Sequence, residues 1–128
     1  MSISYVVGRR EFNLLWEMIN DKPVPEMFKA DIDPSERENI IESLRKKGLM
    51  YLNGPYADIE RTMLFLISQA AEADRTDVYK DISRIIFHCP KLIICIERDR
   101  LSIFKYCIVP LKDEEELNEY IDSHSVFY

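Results

Sequence analysis

The hydrophobic period changes near Asp74, and this constrains the chain more than any other feature. Before that point apolar residues recur at helical spacing, as at Phe12, Leu15, Trp16 and Ile19. After it, residues 82–89, 91–98 and 101–109 are dense in β-branched and aromatic side chains and read as three strands. Helices followed by consecutive strands and one closing helix predict an α+β fold: winged-helix-like N-terminal helices packed with a C-terminal antiparallel sheet and a final helix. With 128 residues there is material for one core, so the expectation is a single domain, mainly helical over 1–75 and sheet plus helix over 76–128.

The first part is punctuated clearly. Residues 3–7 (ISYVV) read as a short strand ended by Gly8, and residues 9–20 as an amphipathic helix. Lys22-Pro23-Val24-Pro25 stops that helix, and one further helical turn fits 26–29. The strongest local signature follows. Asp33 can cap, Pro34 suits the first helical position, and Glu36 stands where a capping box places an acid. Arg45, Lys46 and Lys47 complement the C-terminal end of the dipole, and Gly48-Leu49 supply a left-handed cap with its hydrophobic closure. The spacing predicts a helix over 34–47, then a ribbon around Asn53-Gly54-Pro55. The helix expected over 59–73 is apolar on more than one stripe, so it is either central or covered by something else.

In the strand part, a hairpin turning at Arg98-Asp99-Arg100 pairs Arg98 with Leu101. Alternation then places Leu92, Ile94, Ile96, Ile103 and Cys107 on one face, with Lys105 the misfit. Ile93, Cys95, Glu97, Ser102, Phe104 and Tyr106 fall on the other. The mixed aromatic and polar character of the second set suits a partner surface, with Phe104 and Tyr106 as contacts, Ile93 beside them and Glu97 at the rim, unless helices cover both faces of the sheet. Phe65 and Ile67 of the apolar helix form an alternative interface. Pro110 is expected to end the sheet, and Asp113 to cap a last helix docked through Leu117, Tyr120 and Ile121.

Little in the chain points to catalysis. His88 and Cys89 are neighbours on a strand and point to opposite faces, so they do not form a nucleophile pair. The acids at Glu114, Glu115 and Glu116 are explained by the helix dipole. Phosphate-cradling glycine motifs and the nucleophile-elbow motif do not occur. The cysteines Cys89, Cys95 and Cys107 lack CxxC spacing, and their odd number suits a reducing compartment. The expectation is therefore a non-enzymatic cytoplasmic protein with no metal and no cofactor. The net charge of -6, spread over both halves, disfavours long-range attraction to nucleic acid or anionic lipid, and no apolar run reaches membrane-spanning length.

Two binding readings remain. Helices at 9–20 and 34–47 with a ribbon at 50–57 fit a winged-helix DNA-binding regulator. Glu36, Glu38 and Glu42 on the second helix oppose that function, with Arg37 and Asn39 the donors between them. The stretches REFNLLWEMI (10–19), KPVPEMF (22–28), SERENIIESLRKKGLMYLNG (35–54) and IERTMLFLISQAAEA (59–73) resemble the EspG-like chaperones of type VII secretion systems. The resemblance covers residues 3–75 by pattern and the rest by element order, at half the family's length. It implies a cytosolic chaperone or adaptor whose protein partner is a secreted substrate or a secretion component. A half-length unit could also complete its sheet as a homodimer.

Overall fold

The computed structural model describes residues 5–79, 84–98 and 105–124, without the side chains of Met27, Ser123 and His124. Along the chain run β1 (Tyr5–Gly8), α1 (Arg9–Ile19), a 3-10 turn (Glu26–Phe28) and α2 (Pro34–Lys46). Next come β2 (Met50–Asn53), β3 (Tyr56–Ile59), α3 (Arg61–Ala71) and β4 (Arg75–Val78). The last elements are β5 (Arg84–His88), β6 (Ile93–Arg98), β7 (Lys105–Leu111) and α4 (Glu114–His124). The fold is α+β. It divides into two compact units, Val7–Ala71 and a second containing Tyr5, Val6 and the chain from Glu72 onward. The division falls a few residues before the expected change at 75/76.

In the helical unit α1 is the central element, touching α2, α3 and the 3-10 turn. Its residues 11–16 are buried without a break, where a one-sided stripe was expected. The Phe12 ring lies 4.3 Å from that of Phe28 and 6.0 Å from that of Trp16. The Trp16 indole N–H donates to the Lys22 carbonyl at 2.8 Å, which fixes the chain as it leaves the helix. Centrality thus belongs to α1. α3 buries the single stripe Met63, Leu66, Ile67 and Ala70 and leaves Leu64 and Phe65 exposed.

α2 ends as its sequence dictates. Gly48, at φ 75°, sends its N–H to the Arg45 carbonyl (3.0 Å), and the Leu49 N–H reaches the Leu44 carbonyl (2.9 Å). That bond pair is a Schellman closure, with Leu44 and Leu49 both buried. At the other end Asp33 accepts from the Ser35 N–H at 3.3 Å, while Glu36 pairs with Arg10 of α1. α3 begins at Arg61 because Glu60 caps it, its carboxylate accepting from Thr62 and Met63 N–H at 2.9 Å each.

The second unit is built on a sheet of order β1-β7-β6-β5-β4, in which β4 to β7 form an antiparallel meander. β4 carries one apolar residue in RTDV and was not anticipated. Pro110 does not end the sheet. β7 runs through it to Leu111, which pairs with Ile93. The register departs from expectation with more consequence. Arg98 faces Tyr106, not Leu101. The shift is odd in residue count and exchanges the two faces of β7 relative to β6.

Candidate functional site

The exchange of faces removes most of the expected sheet surface. Ile93 and Cys95 now share a face with Cys107, Val109 and Leu111. α4, capped by Asp113 through the Glu116 N–H at 3.0 Å, lays Leu117, Tyr120 and Ile121 against it. Ile93 is therefore core. Tyr106 moves to the opposite face, with Ile94, Ile96 and Ile108, and is also buried. Phe104 lies outside the described residues.

Glu97 is not a rim group either. Strand pairing sets it opposite Arg84, whose Nε donates to Glu97 Oε1 at 2.5 Å, and the Tyr120 hydroxyl donates to Oε2 at 2.9 Å. The side chains of Arg84 and Glu97 are 5% and 9% exposed, so the pair is withdrawn from water. The Tyr79 ring stands 5.2 Å from the Arg84 guanidinium carbon. Burial, followed by the neighbouring Glu97 charge, pushes the Tyr120 phenol far above its ordinary range. The same two causes push the Cys95 thiol up to about 12. This network locks α4 to the sheet and offers an outside partner no free group.

The imidazole of His88 lies 2.8 Å from an Asp77 oxygen and 3.1 Å from one of Glu114, joining β4, β5 and the start of α4. Cys89 Sγ turns to the Phe87 carbonyl at 3.6 Å, and burial followed by the charge of Asp74 raises its thiol to about 11. The adjacent thiol and imidazole are thus not a Cys–His pair. Among the described residues no group of three or more His, Cys, Asp or Glu could hold a metal ion, and no helix is long and apolar enough to cross a membrane.

Exposed apolar side chains are concentrated instead in one stretch of the helical unit. Of eight large hydrophobic side chains exposed among the described residues, five fall between 51 and 65: Tyr51, Leu52, Tyr56, Leu64 and Phe65. Their exposure follows from the local structure. β2 and β3 pair as a two-stranded ribbon, with Asn53 against Tyr56 and Gly54 at φ 63° in the tight turn. Tyr51 and Tyr56 occupy one face as diagonal neighbours, and Leu52 lies on the other opposite Ala57. Met50 is fully buried, whereas Leu52, two residues on, is 58% exposed, so the ribbon leaves the core within one strand. On α3, Phe65 is 43% exposed and Ile67 is 1% exposed, the latter on the stripe with Met63, Leu66 and Ala70. Phe65 thus stands where a surface residue was expected, and Ile67 does not. Tyr51, Leu52, Tyr56 and Leu64 were missed, although a ribbon with apolar residues on both faces cannot bury both sides of its tip.

The helix a winged-helix protein would present to DNA is occupied by internal pairs. Glu36 holds Arg10, Arg45 forms two hydrogen bonds to Glu42 at 2.8 and 2.9 Å, and Lys47 Nζ bonds Glu11 at 2.6 Å. No protein-family model, curated protein or solved structure matches the chain.

Proposed function

We propose that this chain is a non-enzymatic cytoplasmic chaperone or adaptor that binds another polypeptide through the β2–β3 ribbon and the exposed side of α3. The observation that carries the reading is the concentration of Tyr51, Leu52, Tyr56, Leu64 and Phe65 at the surface of one unit. Tyrosine and phenylalanine offer large contact area with few rotatable bonds, which makes them effective anchors in protein interfaces. A client with an exposed apolar segment is the chemistry that such a surface complements. The resemblance to EspG-like chaperones makes a type VII secretion substrate the specific client to test. DNA regulation is the weaker reading, because three of the basic residues nearest the second helix are consumed in pairs with Glu36, Glu42 and Glu11.

The test is co-expression with small secreted proteins encoded beside this chain, followed by affinity purification. Wild type should retain a client and keep it soluble, and Phe65→Asp combined with Tyr56→Asp should lose it. Both positions are exposed, so the variant should unfold at the wild-type urea midpoint. Undiminished client recovery by a folded variant would refute the assignment.

A further inference from the structure

Among the described residues β4 is an outer strand of the five-stranded sheet, paired on one side with β5. The Tyr79 N–H donates to the Arg84 carbonyl at 3.0 Å, which marks those two residues as a hydrogen-bonded pair. Alternation then turns Asp77 toward β5 and turns the N–H and C=O of Thr76 and Val78 outward, along the edge. Asp74 and Arg75 both oppose His88, since Asp74 N–H reaches the His88 carbonyl at 2.9 Å while Arg75 is its ladder partner. This is a β-bulge, and it limits the regular edge to Thr76 through Val78.

Short length, charge and a bulge are the devices by which proteins blunt such edges. Here, however, the charges alternate in sign. Arg75 and Asp77 lie on the same face with side chains 63% and 47% exposed; they form an ion pair 3.6 Å apart and both reach the His88 ring, so pairing across two copies exchanges or shares these contacts. We propose that this edge pairs antiparallel with the β4 of a second copy of the chain, centred on Thr76. In that register Thr76 meets Thr76 of the second copy as a hydrogen-bonded pair, and each Arg75 stands opposite an Asp77 of the other copy. The symmetric alternatives are poorer. Pairing Thr76 with Val78 sets Asp77 directly against Asp77, a like-charge contact. Centring on Val78 sets Asp77 against Tyr79, which brings it no opposite charge from the second copy. The sequence R-T-D is its own complement when read backwards, and this selects the partner.

The proposal concerns the sheet unit and is independent of the client surface on the helical unit, so either can fail alone. Sedimentation across a dilution series of the full chain should reveal a reversible monomer–dimer equilibrium at low salt that weakens as salt is added. Arg75→Asp alone creates two acids, and Asp77→Arg alone creates two bases. Each variant should associate about tenfold or more weakly than wild type. Mixed in equal amounts, the two variants should recover a heterodimer, because each acid then faces a base; recovery also shows that both are folded. In the unmodified protein, hydrogen exchange at the Thr76 amide should slow as the dimer forms. A chain that stays monomeric to about 1 mM overturns the proposal. So does a dimer whose Thr76 amide exchanges at the monomer rate, or a mixture of variants that remains monomeric while wild type dimerises.

Discussion

Replacing Glu97 with leucine should be among the most damaging single changes in this protein. The carboxylate faces Arg84 across β5 and β6 and accepts from Tyr120 on α4, and both charged side chains are at most 9% exposed. Removing one member of a buried pair strands the other, which typically costs about 3–5 kcal/mol. The Tyr120 hydroxyl would also lose a charged acceptor, a term of about 1.5–3 kcal/mol that overlaps with the first. Against a total stability of about 5–15 kcal/mol this is a large fraction. Arg84→Met in the same chain should restore much of the loss, because a matched apolar pair leaves no stranded charge. The expected coupling between the two sites is about 2 kcal/mol or more in a double-mutant cycle. Urea unfolding followed by far-UV circular dichroism measures it. Fluorescence of the single tryptophan, Trp16, reports separately on the helical unit. A Glu97→Leu cost below about 1 kcal/mol, the range of solvated surface pairs, would refute the buried-pair argument.

Three further outcomes follow from the geometry. Glu11 accepts from Gly8 N–H, Ser43 Oγ and Lys47 Nζ at 2.6–2.7 Å. Burial raises its pKa, but the bonds from Lys47, Gly8 and Ser43 together outweigh that and hold it below the ordinary carboxylate value. A lowered folded pKa contributes stability that is fully present above the unfolded value near 4.5 and is lost as pH falls through the folded one. Acid titration of stability should therefore be shallower in Glu11→Gln than in wild type; equal slopes would contradict this. The Cys95 thiol, raised to about 12 and buried, should resist alkylation at pH 8 until the protein unfolds, as timed labelling and mass spectrometry would reveal. Labelling of Cys95 at the rate of a free thiol would show that the sheet face opens. Duplex DNA should give no mobility shift at low salt, and a shift abolished by Arg37→Ala would revive the regulatory reading.

What the sequence made legible was whatever its residues determine locally. The α2 boundaries follow from Asp33, Pro34, Gly48 and Leu49, all within a turn of the helix ends, and each behaves as its chemistry requires. The ribbon turn at Gly54 was readable for the same reason. The β6–β7 register was not, because alternation decides which residues share a face of one strand but not the offset between two strands. That one offset moved Tyr106 to the other face, while α4 and Arg84 of β5 drew Glu97 into the core. The partnership of Glu97 with Arg84, thirteen residues away, exists only once β5 and β6 are aligned. Composition left α3 either central or covered by something else; α1 is the buried centre, and α3 keeps Leu64 and Phe65 exposed. Phe65 was accessible to sequence reasoning because it lies off the Met63–Leu66–Ile67–Ala70 stripe.

The proposed client-binding role of the ribbon and α3 is tested most directly by site-specific photo-crosslinking in the native host. A benzophenone side chain at Tyr56 or Phe65 should yield one discrete adduct with the same polypeptide. The identical probe at exposed Glu115 of α4 should yield none. Equal labelling at all three positions, or adducts at Glu115 alone, would contradict it.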